Sequence, residues 1–519
     1  MTIARFINTV LLWLALLAFA AQCLIDFSTE NIAANCMMLA SVLVTLLYFR
    51  WSKALDTHPL SSFAIFGFCV TSQLGALLAQ SSAWTAVGTS LHQPLVTFSM
   101  LAMYQAVALL AHALYRMLTV SSSGKPGLLR HMFQTLGIYA VPSALNLWIM
   151  GGMGTFFLLL SKVSPVANGF SFLAWSPFLI PIYVQQSGSA YCNVKRNYLA
   201  LAAYAILIAL MAMAFNARGM LLAGVATVAL LFLLVGMRSN KPVTAPVLFK
   251  LGMLGLLGAV LSWPASNLVT AMAVARNDRG KVSGSEMVTK TLDNFQKPEK
   301  LEIYRRQALA DDLRTSYDEK YISNPMLARF VITKFHDNAI YFAGKISGKG
   351  SEEMMEVSGD FLWTTLPQPL LDVLKIDVDK EKMQFSMGDM LAHFAVGTPL
   401  SGMRTGSIFG QGWALFGYFF PVVYFAMCLI LFAAVDVFTI QTSSGRVVLA
   451  VIGMLNVWPN FLFGITADSL QHLFVSVVRG VPQSVLLYSI VFYIAKSLSN
   501  LVNLVLKIKP AGNSGVVVK

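Results

Sequence analysis

Apolar runs long enough to cross a bilayer recur along this chain, and they rule out a water-soluble fold. A span needs about 20 largely apolar residues, and roughly twelve stretches meet that criterion. They begin near Phe6, Asn31, Leu60, Pro94, Phe133, Ser171, Tyr198, Met220, Val247, Gly412, Arg446 and Pro482. Composition agrees: 56% of the 519 residues are hydrophobic and 12% charged, where soluble domains carry about a quarter charged residues. The pattern predicts an all-α polytopic membrane protein with about 12 transmembrane helices. The stretch Met150 to Val184 carries Gly151, Gly152, Gly154, Pro165, Pro177 and Pro181. It reads as a broken or re-entrant pair as much as a full span.

One long polar segment interrupts this pattern. Of the 24 carboxylates, 19 lie between Arg276 and Arg404, leaving Asp26, Glu30, Asp56, Asp436 and Asp468 for the rest. The chain therefore divides into a membrane part (1–275, spans one to nine), an insert (276–411), and a second membrane part (412–519, spans ten to twelve and a tail). The insert is nearly neutral, with 18 Lys and Arg against 19 Asp and Glu, so the net charge of +13 sits at helix ends. That distribution marks topology and not a nucleic-acid footprint, and no nucleic-acid partner is expected. Arg50/Lys53, Arg116/Lys125/Arg130, Lys195/Arg196, Arg238/Lys241, Arg446 and Lys507/Lys509 follow every second span. Apart from the insert, the intervening loops hold only Lys162, Arg218 and Arg479. By the positive-inside rule both termini are cytoplasmic and the insert is on the outer side. Lys496 marks the expected cytoplasmic edge of the last span, with Ser497 to Lys509 as an interfacial tail.

Inside the insert the periodicity is helical. Leu301, Tyr304, Ala308, Leu309 and Leu313 recur at helical spacing. Asn324-Pro325 suits the start of a helix through Phe330, Val331, Phe335 and Ile340. Glu352 and Glu353 suit the positive end of another helix, and Ser386 to Asp389 reads as a capping box. Short helices with apolar faces suggest a cap lying on the outer membrane face. The five cysteines fall in or beside apolar stretches with no CxxC spacing, so neither a disulfide framework nor a zinc site is expected.

Few residues could carry chemistry. Asn216-Ala217-Arg218-Gly219 is a hairpin between two apolar helices, and its arginine offers a planar, permanently charged fork that matches a phosphate or diphosphate. The alternative is an interfacial arginine that merely closes a loop. His393, followed by Arg404 and the Gly410-Gln411-Gly412 bend, marks where the chain re-enters the membrane. A histidine can take a proton from a sugar hydroxyl, or it can be a capping residue on a surface helix. Further candidates are Arg276, Asp278 and Arg279 at the start of the insert, Arg329 with His336/Asp337 on one amphipathic helix, and Asp468, His472 and Arg479 in the last outer loop. Charged groups at membrane depth are costly and so point to function. No nucleotide-binding or metalloprotease motif occurs, and Asp377-Val378-Asp379 reads as part of a solvated charged face.

Phe215-Asn216-Ala217-Arg218-Gly219-Met220-Leu221 is similar to the "SRG" and following apolar helix of bacterial polysaccharide repeat-unit polymerases of the O-antigen polymerase (Wzy) type, with Ala217 where serine is usual. Ser407-Ile408-Phe409-Gly410-Gln411-Gly412 through Phe416-Gly417 resembles the same family's approach to the helix after its large loop. O-antigen ligases are similar more distantly. Leu366-Pro367-Gln368-Pro369 departs from a proline-arginine pattern in some members. The resemblance implies a GT-C-like architecture with the large, mainly helical loop periplasmic between spans nine and ten of an inner-membrane protein. It implies metal-independent inverting transfer of a glycan from undecaprenyl diphosphate onto a lipid-linked repeat unit, with no cofactor and with a chain-length regulator as a further partner. Arg218 would hold the diphosphate, Arg404, Arg276, Arg279, Arg329, Arg479 and His472 would contact phosphate or sugar, and His393 would be the general base. A ligase or a multi-span transporter or flippase are the alternatives. The transporter reading predicts internal two-fold similarity, and none is evident.

Overall fold

The computed structural model describes residues 1–120, 128–161, 163–310, 317–322, 324, 326–366, 368–380, 383–441 and 447–505. Among these, nine helical segments are long and apolar enough to cross a membrane: Ile3–Ile25, Thr29–Ser52, Pro59–Ser82, Pro94–Thr119, Val166–Ala190, Val194–Ala214, Arg218–Met237, Ile408–Asp436 and Leu470–Val505. The chain is thus an all-α polytopic membrane protein. Nine of the twelve expected spans fall on these segments.

The other three take different forms. Phe133 lies in a short separate helix, Leu128–Thr135, and a turn with Gly137 at φ 69° precedes the Ala144–Leu160 helix. Val247 lies in a 30-residue helix, Ala245–Val274, that carries Pro264 inside. The stretch after Arg446 is not one helix. It begins as the second strand of a hairpin (Thr439–Gln441 with Val447–Leu449) and continues as two short helices, Val451–Leu455 and Val457–Phe463, that meet at Asn456. The stretch they form returns the chain from the Asp436 end of Ile408–Asp436 to its Ile408 end. The Ala450 N–H donates to the Phe438 carbonyl at 2.8 Å, and the Ile408 N–H donates to the Ala467 carbonyl at 2.9 Å. Broken backbone survives at membrane depth only where protein covers it. Here the Phe461 carbonyl lies so close to Gly67 that an added Cβ would sit 2.1 Å from it.

The glycine-rich and proline-rich stretch holds one shorter apolar helix, Ala144–Leu160, and one segment long enough to cross a membrane, Val166–Ala190, which is built of α and 3-10 pieces. Ala144–Leu160 packs on a nine-residue 3-10 helix, Ser171–Leu179, that contains Pro177. An added Cβ at Gly151 would lie 2.3 Å from Pro177, and one at Gly154 2.2 Å from the Ala174 nitrogen. At the other end of the chain, the helix Val481–Val505 continues unbroken through Lys496, and the tail beyond 505 lies outside the described residues.

The described part of the insert folds into helices Gly284–Phe295, Pro298–Ala310, Thr333–Ala343, Gly348–Trp363, Gln368–Leu374 and Met387–Val396. Ser386 and Asp389 form the expected capping box, and Ser283 with Glu286 forms a second. One expected helix is split. The Asn324 Oδ1 accepts from the Met326 and Leu327 amides, but only a 3-10 turn, Leu327–Arg329, follows. The Ile332 N–H instead donates to the Thr71 carbonyl at 3.0 Å, which breaks the chain before Thr333.

The insert is more than a cap, because its Thr333–Ala343 helix is buried inside the membrane body. Gly410 meets Ala339 so closely that an added Cβ would lie 2.3 Å from its carbonyl carbon. Phe409 stacks on Phe68 and Tyr104, with His336 edge-on at 5.0 Å. The Pro59–Ser82 segment carries a π-turn at Val70–Leu74 opposite this helix. A π-turn frees carbonyls from the helical ladder. Here the Thr71 carbonyl takes the Ile332 N–H, and the Ser72 carbonyl takes the Thr333 hydroxyl at 2.8 Å.

Candidate functional site

The Val194–Ala214 and Arg218–Met237 helices meet in a three-residue turn. Asn216 sits there in the left-handed region at φ 47°, buried beneath Met287 of the first insert helix. The Arg218–Met237 helix has no side-chain cap. Its first N–H groups add positive potential beside the half-buried Arg218.

Two further arginines reach Arg218 from distant parts of the sequence. Arg218 lies within electrostatic range of Arg329 and Arg276, with Tyr304 beside it. Arg276 comes from the 3-10 turn Ala275–Asp278 where the insert begins, and Arg329 from the 3-10 turn before the buried helix. Burial lowers the Arg329 guanidinium from its ordinary value; Glu319 raises it and Arg276 lowers it further. Arg276 is exposed, but Arg218 and Arg329 are half-buried, and like charges held partly out of water are costly unless an anion joins them. Glu319 also accepts from the Thr405 N–H at 2.5 Å, so it ties the far end of the insert to this cluster. Arg305 is directed elsewhere, donating to Asn267 at 2.7 Å and Thr270 at 3.1 Å.

The other predicted residues are placed apart. Arg279 is exposed just beyond the Ala275–Asp278 turn, and its neighbour Asp278 pairs with Lys290 at 2.7 Å. His393 is exposed, and its Nδ1 bonds to the Thr398 carbonyl at 2.8 Å across the end of its helix. That is the capping arrangement, and no described interaction joins it to the three arginines. Arg404 forms an ion pair with buried Asp389 at 2.8 Å and donates to the Ser401 carbonyl at 3.0 Å. Burial raises the Asp389 carboxyl, but its bonds to Ser386 and Arg404 outweigh this and hold it below its ordinary value. Arg404 therefore pins the insert's return strand onto the Met387–Val396 helix.

His336 and Asp337 are not on one amphipathic helix with Arg329. They lie on the buried helix. Asp337 accepts from the His92 and Gln93 amides at 2.8 and 3.1 Å and from the Thr97 hydroxyl at 3.0 Å, so it pins the turn that leads into the Pro94–Val120 helix across the fold. Lys334 pairs with it at 3.1 Å, both fully buried. The His336 ring bridges Ser72 at 3.0 Å and Ser407 at 2.7 Å, and burial lowers it to about 3.

His472 and Arg479 border a separate cleft of about 520 Å³. It lies between the insert and the start of the Leu470–Val505 segment, where a second π-turn, Ser476–Gly480, interrupts the helix. The His472 Nδ1 meets the Asp468 carboxylate at 2.9 Å, and Arg479 donates to the Thr365 carbonyl at 2.9 Å. Sequence reading placed no weight on Tyr304 or Glu319 at the arginine site, since nothing in their local patterns marks them. No protein-family model, curated protein or solved structure matches this chain.

Proposed function

We propose that the protein is a polysaccharide polymerase of the inner membrane. It transfers glycan from undecaprenyl diphosphate onto a lipid-linked repeat unit at the periplasmic face. The observation that carries this reading is the convergence of Arg218, Arg276 and Arg329, from three separated segments, where the insert meets the membrane body. Guanidinium groups bind diphosphate oxygens in bidentate fashion, and two half-buried arginines beside the exposed Arg276, with one nearby carboxylate, favour a polyanion. Little further machinery is required. The acceptor hydroxyl attacks the anomeric carbon and releases its proton to water, the C–O bond to the diphosphate breaks, and the arginines stabilise the negative charge that develops on the departing diphosphate. His393 has no part in this account, because it lies exposed on its own helix end.

The test is purified protein with lipid-linked repeat units and no added nucleotide. A ladder of lengthened products is expected. Arg218→Ala should slow its formation by about 100-fold or more, the effect of removing one preorganised charge donor. A fully active Arg218→Ala protein overturns the assignment. Transfer to a lipid A-core acceptor without lengthening would identify a ligase instead.

A further inference from the structure

The arginine cluster and the cleft beside the last span differ in chemistry. The first is cationic. The second offers one carboxylate (Asp468), one guanidinium (Arg479) and one imidazole (His472), facing an aromatic wall of Phe361 and Phe385 whose rings lie 5.9 Å apart. Its volume of about 520 Å³ falls in the range of roughly 300–1,000 Å³ usual for small-molecule sites.

Balanced charge with both donors and acceptors is a poor match for a diphosphate. It suits a ligand that alternates hydroxyl groups with apolar C–H faces. We propose that this cleft binds carbohydrate, at a site separate from the arginines.

The polar side is held in place for that task. Arg479 is fixed by the Thr365 carbonyl at 2.9 Å and by Gln483 at 3.3 Å. Asp468 engages the His472 Nδ1, which leaves Nε2 as an acceptor for a ligand hydroxyl when the ring is neutral. The π-turn Ser476–Gly480 widens the helix at the point where the cleft meets it, and such turns recur at functional sites. The aromatic side chains supply apolar surface for the C–H faces of a sugar ring.

The choice of a glycan as occupant rests on the proposed function and gives the glycan its own site, apart from the diphosphate. Binding can nevertheless be read without any transfer reaction. Full-length protein in nanodiscs is titrated with a panel of uncharged oligosaccharides, maltopentaose and chitopentaose among them, and separately with inorganic pyrophosphate. At least one oligosaccharide should bind. Arg479→Ala and His472→Gln should each weaken that binding about tenfold, the loss of one good hydrogen bond to a charged or oriented group. Both side chains are exposed, so the variants should fold, and Ser476→Trp provides a second test by filling the cleft. Pyrophosphate binding should respond to Arg218→Ala and not to the cleft variants. The proposal is overturned if no oligosaccharide in the panel binds, if binding survives all three cleft substitutions, or if those substitutions abolish pyrophosphate binding. Oligosaccharide binding with no lengthening of lipid-linked units would uphold the cleft and overturn the polymerase reading.

Discussion

At the scale of single residues, Arg404 and His336 show how a charged or titratable side chain can serve the fold. Asp389 accepts from the Ser386 amide and hydroxyl and from the Met403 amide as well as from Arg404. Arg404→Ala leaves most of those bonds intact, so it should cost about 1 kcal/mol of stability, and activity should fall no further than stability does. Asp389→Ala removes them all and should cost about 2–3 kcal/mol. Thermal melts of both variants in detergent, set beside their activity, check this ordering. His336 gives a pH dependence. Its folded-state value, lowered to about 3 by burial, lies below the ordinary value of about 6.5. The unfolded chain therefore binds the extra proton first. Stability is complete above about pH 6.5 and is lost as pH falls toward 3, by at most about 1.4 kcal/mol per pH unit from this group. His336→Gln keeps a polar link between Ser72 and Ser407 without the titration, so its melting temperature should fall less than the wild type's between pH 7 and 5. Equal slopes would remove His336 as the cause.

At the scale of elements, close helix contacts depend on a few glycines. At Gly410 an added methyl group would press into the backbone of Thr333–Ala343. Gly410→Ala should destabilise the protein by about 1–3 kcal/mol, the usual cost of overpacking. Gly359, inside the Gly348–Trp363 helix, has open space around it. Gly359→Ala should stabilise that helix by about 0.5–1 kcal/mol. Opposite shifts in melting temperature are the expected result. The same contacts explain how far the sequence could be read. Long apolar runs and the Ser386 capping box follow local rules, and so does the 3-10 piece that contains Pro177. The burial of Thr333–Ala343 does not, because Lys334, His336 and Asp337 look like a solvated face until Ser72, Ser407 and the start of Pro94–Val120 are brought against them. Val451–Phe463 has the hydropathy of a span, but Asn456 and the close approach of Phe461 to Gly67 make it a broken segment. At the candidate site Arg218 stood out through its place in a hairpin. Its partnership with Arg276 and Arg329 is a tertiary fact that no spacing encodes.

At the scale of the whole molecule, a run of polar contacts gathers the basic helix ends on one side. Arg116 donates to the Ser52 carbonyl at 2.6 Å, and His58 bonds to Thr119 at 2.9 Å. Ser61 joins His112 at 2.8 Å to Asp436 at 2.5 Å, and Arg238 donates to the Val447 carbonyl at 3.0 Å. The Ile3 N–H then reaches the Lys241 carbonyl at 2.9 Å, which brings the N-terminus to the same end. The insert leaves from Val274 and returns at Ile408, at the far ends of helical segments of 30 and 29 residues, about 45 Å long. Arg50, Lys53, Arg116, Arg238 and Lys241 thus share one end, and the positive-inside rule predicts a cytoplasmic side for it. Single cysteines placed on a background lacking the five native ones test this. Ser401→Cys, exposed on the insert side, should react with a membrane-impermeant maleimide in intact cells, and Asn240→Cys, exposed at the basic end, only after permeabilisation. Labelling of both positions from outside would break the topology. The reverse pattern would put the insert in the cytoplasm, and an enzyme acting on periplasmic lipid-linked glycan could not then use the Arg218 site.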